Sequence, residues 1–353
     1  MEDSEAPVVL FTNALDPPAD EGTKRVAHAL AEHLGAGHVV SVSRANSWFT
    51  RKTFLSPHIL TRGRRSAVEV ALYLPGQSAT LASFLRATIL RAATRKAIVL
   101  VALQPARIPT PARPLLKLLK PRVVLTPSPT LAEEVRRLGM RSVLFPLWVD
   151  QERFRPVPEE SKKALREKYG LPEDAKIVLH VGHLSPLRNL EWIESLGRGD
   201  SSVLTMVVAG SSVASHQLAD RLRSAGVRVI SRYLPNIEEV YQLANVYVFP
   251  VRDERGAIGV PLSVLEAMSC NIPVVATRFG GLPRMFAEGE GVFFADDVTA
   301  FKDRVDKALL LTGDEIRTRH TASPYTQQDI VPALIEEARR WGRPQRARKI
   351  SAS

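Results

Sequence analysis

One carboxylate, Glu266, stands in an otherwise uncharged stretch, GVPLSVLEAMSCNIPVVAT, that runs from Gly259 to Thr277. Pro261 favours the first turn of a helix, which places Glu266 about one and a half turns into that helix. A carboxylate repels phosphate but accepts hydrogen bonds from vicinal hydroxyls, such as those of a ribose. The residue types also allow a second interpretation, in which Glu266 is partly exposed or forms an internal salt bridge.

A second group lies in HVGHLSPLRN, residues 180–189. Gly182 ends a strand-like run and allows a ligand to approach the backbone closely. His183 and Arg188 follow within one loop, and a permanently charged fork with an imidazole is a suitable cradle for phosphate oxygens. The alternative is that His183 is a polar loop residue and Arg188 a surface side chain.

A third group follows the strand-like run that ends at Thr277. Gly280 and Gly281 free the backbone there, and Pro283 suits the first turn of a helix. Such a corner binds anions through backbone N–H groups. A Gly-Gly pair also makes ordinary tight turns, so this signal is weak by itself.

These groups need a parallel sheet to position them, because ligands bind beyond the carboxyl ends of parallel strands. The chain alternates short β-branched runs with amphipathic segments in both halves, for example PVVLFTNA, AIVLVAL, KIVLHVGHL and IPVVAT. The pattern predicts an α/β protein with two doubly wound Rossmann-like domains that face a cleft. We expect an N-terminal domain at 1–150, a C-terminal domain at 151–322, a helix at 323–342 that packs back toward the N-terminal domain, and a basic tail at 343–353.

The composition indicates where the protein is expected to be located and which kinds of site it is expected to lack. The single cysteine, Cys270, excludes an intrachain disulfide framework and favours a reducing, cytoplasmic location. The first residues lack the basic region of a signal peptide, and the apolar runs are far shorter than the ~18 residues that span a bilayer. No Asp-x-Asp motif and no His/Cys/Asp group with metal-ligand spacing stands in the sequence, so we predict neither a metal site nor a cofactor.

Positive charge is concentrated in one segment. The formal net charge is +11, and residues 44–132 hold fifteen Lys and Arg against the single acid Glu69. Such a field attracts an anionic membrane surface, a phosphorylated acceptor or nucleic acid, although the absence of an aromatic-rich basic motif argues against nucleic acid. Apolar residues in this segment either add membrane contact or belong to the core (Phe54, Leu55, Leu115, Leu116, Leu118 and Leu119). The plainer interpretation is scattered, solvated arginines.

From Lys176 to about Ala295 the sequence resembles the GT-B glycosyltransferases of family 4, the glycosyl transferases group 1. The resemblance is carried by VGHLSPLRN, by IEEVYQLANVYVFP and most strongly by PLSVLEAMSCNIPVVATRFGGLP. LWVDQERFRPV resembles the interdomain junction of the family. The N-terminal half matches only in layout.

The resemblance implies roles for the C-terminal residues. Glu266 would grip the ribose hydroxyls of a nucleotide sugar, and Gly280 and Gly281 would offer backbone N–H groups to it. His183 stands where the family has Arg, and Arg188 where it has Lys. Both would face the diphosphate and stabilise it as it departs, beside Gly182.

The first of the two family glutamates is replaced by Ile258, and Glu254 lies nearby at the wrong spacing. The resemblance therefore implies that main-chain groups near Gly259 and Val260 contact the transferred sugar, or that the sugar differs. Pro261 follows them and is also expected to border the donor.

The resemblance also implies roles for the N-terminal half. Gly22 and Thr23 correspond to a glycine-rich loop facing donor and acceptor, and Gln104 is the nearest candidate for positioning the acceptor.

The predicted function is transfer of a sugar from a nucleoside-diphosphate sugar to a hydroxyl, with retention of configuration and without a metal. The nucleotide sugar is a co-substrate rather than a cofactor. The expected acceptor is lipid-linked or an anionic glycan, so that the protein would lie peripherally on the inner membrane face. Two other classes stay open: a catalytically silent relative that binds nucleotide sugar or a partner, and a nucleotide-sugar epimerase of the same fold.

Overall fold

The computed structural model describes residues 8–41, 69–76, 79–106, 108, 110–116, 118–197, 202–210 and 215–342. The first half alternates strands and helices: β1 (Val8–Thr12), α1 (Gly22–Leu34), β2 (Val39–Ser41), β3 (Val70–Leu74), α2 (Leu81–Thr94), β4 (Ala97–Val101), α3 (Arg113–Leu116), β5 (Val123–Thr126), α4 (Pro129–Arg137) and β6 (Ser142–Leu144).

The second half continues the alternation: α5 (Glu159–Lys168), β7 (Lys176–Val181), α6 (Glu191–Glu194), β8 (Val203–Val208), α7 (His216–Ser224), β9 (Arg228–Ile230), α8 (Glu238–Gln242), β10 (Val246–Phe249), α9 (Leu262–Ser269), β11 (Val274–Ala276), α10 (Leu282–Met285), β12 (Val292–Phe294), α11 (Val298–Leu310), α12 (Thr318–Ala322) and α13 (Gln327–Gly342).

The strands form two parallel six-stranded sheets. Their orders are β2-β1-β3-β4-β5-β6 and β12-β11-β10-β7-β8-β9. In the second sheet the chain starts at β7, builds outward through β8 and β9, and then returns to place β10 on the other side of β7. This reversal leaves a crevice beyond the carboxyl ends of β7 and β10, where open α/β sheets bind ligands. The predicted fold, two doubly wound α/β domains, is confirmed.

Local signals explain most helix ends. The side chain of Thr80 accepts a hydrogen bond from the backbone N–H of Ser83 at 3.2 Å and starts α2. Gly35 ends α1 with a φ of 75°, a conformation that glycine adopts without strain.

The start of α4 differs from expectation. The sequence Thr130-x-x-Glu133 predicts a capping box, but Ser128 is the N-cap, and its hydroxyl accepts from the N–H of Leu131 at 3.1 Å. Glu133 instead pairs with Arg137 one turn later, and Pro129 stands in the first turn.

Buried apolar side chains continue from one sheet to the other. A single cluster contains Val101 and Leu103 at the end of β4, Trp148 in the connection, and Ile258 and Val260 after β10. The two halves therefore share apolar packing directly beside the crevice.

The chain passes between the halves twice, at adjacent places. The N–H of Val149 donates to the carbonyl of Tyr325 at 2.9 Å, and the carbonyl of Val149 accepts from the N–H of Gln327 at 3.2 Å. After the second passage α13 contacts α1, β3 and β4 of the first half. We propose domain limits at 1–150 and 151–322 on this basis, with 323–342 as a helix of the first domain.

The predicted basic and apolar surface is described only in part. Leu116 and Leu119 are buried in the core of the first half, whereas Leu115 and Leu118 are exposed. Several members of that segment and the basic tail lie outside the described residues (Arg44, Arg51, Lys52, Phe54, Leu55, Arg62, Arg64, Arg65, Arg107, Lys117 and 343–353). Within the described ranges, no helix has the length and apolar character needed to cross a membrane.

Candidate functional site

A cleft of about 580 Å³ opens between the two halves at the carboxyl ends of their strands. Both halves contribute to its wall, as the sequence predicts. Eight of the predicted site residues line it: Gly22, Thr23 and Gln104 from the first half, and Gly182, His183, Arg188, Pro261 and Glu266 from the second.

Glu266 lies on α9, for which Pro261 is the N-cap, and its residue surface is 2% exposed. One carboxylate oxygen pairs with the guanidinium of Arg25, which lies on α1 of the opposite half. The other oxygen accepts from the hydroxyl of Tyr241 at 2.7 Å. The salt bridge that the sequence left open is thus present, and it joins the two halves. Each carboxylate oxygen accepts two hydrogen bonds, so capacity is left for a diol.

Sequence reasoning missed both partners of Glu266. Arg25 is 241 positions away and belongs to an ordinary amphipathic helix, so no local signal distinguishes it. Tyr241 lies on α8, in the segment that resembles the family just before β10, and its ring is fully buried. A buried phenol needs a hydrogen-bond partner, which was a usable signal.

Arg188 is a buried cation, 8% exposed, at the end of a short 3₁₀ turn that Ser185 caps. Among the described residues it forms no ion pair, and its buried Nε has no hydrogen-bond partner. Burial lowers the pKa of Arg188 to about 10. A buried charge without a counter-ion is costly, so this position is prepared for an anionic ligand.

Gly182 makes room for this cation. A Cβ at Gly182 would lie 3.0 Å from Nη1 of Arg188 and 2.9 Å from Nε2 of His180. A side chain at this position would therefore collide with the groups beneath the loop, which is the physical reason for glycine after β7.

His180 is a second residue that sequence reasoning missed. It lies on β7 near the rings of Tyr247 and Phe249, and its Nδ1 is 2.9 Å from the carbonyl oxygen of Val248. Burial above all lowers the pKa of His180 to about 3, with Arg188 acting in the same direction. The imidazole is consequently neutral and donates from Nδ1, which leaves Nε2 as an acceptor.

His183 lines the cleft beside Arg188. Burial is the main cause that lowers the pKa of His183, and the charge of Arg188 lowers it further, while Glu21 and Asp20 across the cleft oppose both effects. At pH 7 the ring is therefore neutral and can donate one hydrogen bond.

Four of the predicted residues lie outside the cleft wall, where the two halves meet. Gly259 donates its N–H to the carbonyl of Leu103 at 2.7 Å, and Gly281 donates its N–H to the carbonyl of Gly259 at 2.8 Å. We call this contact the interdomain seam; it comprises Leu103, Pro127, Ser128, Gly259, Val260, Gly280 and Gly281. The prediction that Gly281 offers its N–H to the ligand is wrong, because that N–H is already engaged.

The seam also explains why glycines occur here. A Cβ at Gly259 would lie 2.8 Å from the backbone nitrogen of Ser128, and one at Gly281 would lie 2.8 Å from the carbonyl oxygen of Pro127. The glycines allow the backbones of the two halves to touch.

Gln104 and Glu254 connect the halves as well. Gln104 lines the cleft, but its amide nitrogen donates to the carbonyl of Arg255. Glu254 accepts from Ser128 at 2.7 Å and from Thr130 at 2.5 Å, at the start of α4. Its carboxylate is therefore held at the opposite half and does not replace a sugar-binding glutamate.

Ile258 is 9% exposed and lies against the glycine that begins α1. A Cβ at Gly22 would be 2.8 Å from Cδ1 of Ile258. The cleft wall on this side is therefore apolar where the family carries an acid.

Tyr233 lines the cleft beside Leu234 and Ile237, and its surface is 44% exposed. Tyr233 follows the carboxyl end of β9. Because ligands bind beyond the carboxyl ends of parallel strands, its position in the sequence could have indicated a site residue. An exposed aromatic ring in a ligand cleft is suited to stacking with a planar base.

Known proteins resemble this chain in sequence and in fold. Residues 161–329 match the family described as glycosyl transferases group 1. D-inositol 3-phosphate glycosyltransferase 2 of Catenulispora acidiphila is 30% identical over 214 residues, which cover 55% of this chain and 45% of the relative. The chain spans about half or less of the length of the curated relatives it matches.

Solved structures share the whole architecture at low identity. Sucrose-phosphate synthase from Thermosynechococcus elongatus superposes with a TM-score of 0.73 at 19% identity, covering 95% of this chain and 98% of that one. Anabaena HepE in complex with UDP and glucose gives a TM-score of 0.72 at 14% identity, covering 94% of this chain and 99% of that one. Residues 161–329 of this chain are therefore similar to the glycosyl transferases group 1, and the chain as a whole has the GT-B fold.

Proposed function

We propose that this protein transfers a sugar from a nucleoside-diphosphate sugar to an acceptor hydroxyl. The observation that carries the proposal is the buried guanidinium of Arg188, which has no counter-ion among the described residues and lies in the same cleft as the Glu266 carboxylate. A cation without a counter-ion suits a diphosphate, and a carboxylate with spare acceptor capacity suits a ribose diol. The likeness to HepE, whose structure holds UDP and glucose, supports UDP as the first nucleotide to try.

The proposed mechanism uses charge and hydrogen bonds at the leaving group. Arg188 and the neutral His183 ring donate to the diphosphate and stabilise the negative charge that grows as the glycosidic bond breaks. The reaction would retain the anomeric configuration without a metal, and an oxygen of the leaving phosphate would take the acceptor proton. Gly22, Thr23 and Gln104 would border the acceptor.

UDP titration of the wild type and Glu266→Gln tests the donor site. We expect the exchange to weaken UDP binding about tenfold, since a hydrogen bond to a charged group contributes roughly 1.5–3 kcal/mol. Glu254→Gln is the matched control, because that carboxylate lies at the interface and outside the cleft wall, and its UDP affinity should stay within twofold. Absence of binding by any nucleoside diphosphate to the wild type would contradict the proposal.

Release of UDP from a panel of UDP-sugars distinguishes a glycosyltransferase from a catalytically silent relative and from an epimerase. An enzyme releases UDP and yields free or transferred sugar, whereas a silent relative binds the donor and leaves it intact. Conversion of the donor sugar with the nucleotide still attached would instead identify an epimerase.

We propose further that the first half faces an anionic membrane, where it takes a lipid-linked or anionic glycan acceptor from the inner face. The support is the exposure of Leu115 and Leu118, 45% and 76%, in a segment rich in basic residues. The Nη1 of Arg91 on α2 donates to the carbonyl of Lys120 at 3.3 Å, which brings α2 beside this segment.

Cosedimentation with phosphatidylglycerol and phosphatidylcholine vesicles tests this surface. Binding to the anionic vesicles should fall severalfold in Leu118→Glu and should weaken with added salt. The control is Leu310→Glu, because Leu310 is 73% exposed on α11 of the other half. Equal binding by both variants would argue against the surface.

A further inference from the structure

In the part of the chain that the structure describes, one partly buried carboxylate of the cleft wall is engaged by neither a hydrogen bond nor an ion pair. Glu21 forms no side-chain hydrogen bond and no ion pair with any of the described residues, and it lies in the N-cap position of α1 without capping it. The other acids of the wall are engaged or exposed: Asp20 pairs with Lys24 at 2.6 Å, Asp150 accepts from the backbone N–H groups of Glu152 and Arg153, Glu266 pairs with Arg25, and Glu32 is exposed.

Glu21 lies at the apolar part of the cleft. The next residue, Gly22, is packed against Cδ1 of Ile258, so the backbone of Glu21 is next to this contact. The wall of the second half contributes Leu187, Ala257 and Ile258 to the cleft, and none of these side chains can hydrogen-bond.

The opposite wall at this place carries the phosphate cradle. His183 and Arg188 line the same cleft, and the charges of Glu21 and Asp20 act on His183. If a diphosphate lies at Arg188 and a ribose at Glu266, the sugar extends from the diphosphate away from Glu266. It then lies beside the contact between Gly22 and Ile258, on the side where Glu21 lines the cleft.

A sugar in that position has hydroxyl groups that must be desolvated. The side chains of Ile258 and Ala257 offer them no acceptor, and an unsatisfied buried hydroxyl is unfavourable. A carboxylate is the strongest acceptor that a side chain offers.

We propose that Glu21 accepts hydrogen bonds from the transferred sugar of the donor. It supplies from the first half the carboxylate that the apolar wall at Ile258 lacks. This inference depends on the proposed function, because it assumes a nucleotide sugar in the cleft.

Two affinities, for UDP and for UDP-glucose, test Glu21 specifically. In Glu21→Ala we expect the Kd for UDP to stay within twofold, while the Kd for UDP-glucose rises about tenfold. The ratio of the two constants removes general effects on folding or on cleft charge, which change both. If UDP-glucose is not the tightest UDP-sugar of the wild type, the same ratio is taken with the tightest one in the panel.

Two further variants sharpen the experiment. Glu32→Ala removes an exposed carboxylate from the same helix, about three turns away, and should leave the ratio unchanged. Ile258→Glu combined with Glu21→Ala puts a carboxylate on the opposite wall and should restore much of the lost affinity for the UDP-sugar.

Three results overturn the inference. A wild-type ratio in Glu21→Ala, or an equal loss of UDP and UDP-sugar binding, shows that Glu21 does not contact the sugar while leaving the proposed function intact. A wild type that binds neither ligand removes the proposed function and this inference together.

Discussion

Arg188 and the two histidines near it form one electrostatic unit. Arg188 brings a charge that no described carboxylate neutralises, and His180 beneath it stays neutral because burial keeps its pKa at about 3. His183 is also neutral at pH 7, since burial above all lowers its pKa. The unit therefore offers a single fixed positive charge and hydrogen-bond donors around it, and further charge can come only from protonation of His183.

The pH dependence of UDP binding follows from this arrangement. A bound diphosphate favours the imidazolium form, so it raises the pKa of His183 above its value in the free protein. Binding by the wild type should thus strengthen, relative to His183→Gln, as the pH falls from 8 to 6, by up to tenfold per pH unit. The phosphate of UDP titrates in the same range, but it does so for both proteins and cancels in the ratio. A ratio that is constant with pH would show that His183 does not meet the diphosphate.

At the scale of elements, the loop after β10 is part of the second half but forms several hydrogen bonds with the first half. Glu254, Arg255 and Gly259 are all bonded to groups of the first half. The backbones meet at the seam so closely that glycine is the residue type that fits. Short backbone contacts thereby fix the start of α4 relative to the second half, and the Ile258 side chain packs against the start of α1.

Gly281→Ala should disturb that seam. Its Cβ would lie 2.8 Å from the carbonyl oxygen of Pro127 and equally close to Cγ2 of Val260, and a backbone carbonyl cannot rotate away. We expect a loss of roughly 1–3 kcal/mol in the free energy of unfolding, measured with urea. Gly37→Ala is the control, because nothing lies within 4 Å of a Cβ there. Equal midpoints for the two variants would mean that the seam tolerates separation.

The strands and helices could be predicted from the sequence more easily than the contacts between them. Parallel strands such as Ala97–Val101 and Lys176–Val181 follow from β-branched runs, and the site beyond their carboxyl ends follows from topology. The partnership of Arg25 with Glu266 joins residues far apart in sequence, so no local pattern contains it. Gly281 illustrates the same limit: the pattern identified a glycine turn, but its N–H bonds to Gly259 instead of a ligand.

At the scale of the whole molecule, the described residues include one ion pair, Arg25 with Glu266, that joins the halves across the cleft. The Glu266 side chain is 3% exposed and that of Arg25 26% exposed, so water screens the pair only in part. Burial has the largest single effect on Arg25 and lowers its pKa, but the charges of Glu266 and Tyr241 and the hydrogen bond to Glu266 together outweigh burial, so that the pKa is raised. The pair, the seam and the shared apolar cluster together hold the halves against each other.

Arg25→Gln should loosen this arrangement. Loss of a charge-assisted hydrogen bond to a buried carboxylate lowers the free energy of unfolding by roughly 1.5–3 kcal/mol. In the double variant with Glu266→Gln the second exchange should cost little more, which is the signature of direct coupling. Small-angle scattering of the unliganded protein should give a radius of gyration near ~20 Å for the wild type and a larger value for Arg25→Gln. Strictly additive losses in the two single variants would show that the pair contributes nothing as a pair.

The place of α13 has a consequence for synthesis on the ribosome. This helix buries Val331, Leu334 and Ile335, and its last residue, Gly342, lies against Val70 of β3. β3 is therefore translated about 270 residues before the end of α13, the helix that covers it. This corresponds to a delay of roughly 15–50 s at about 5–20 residues per second. Meanwhile the elements between α5 and α12 have emerged and can pack on each other. The second half is thus the first to complete its core, and the nascent first half must wait with an uncovered apolar face until the helix arrives.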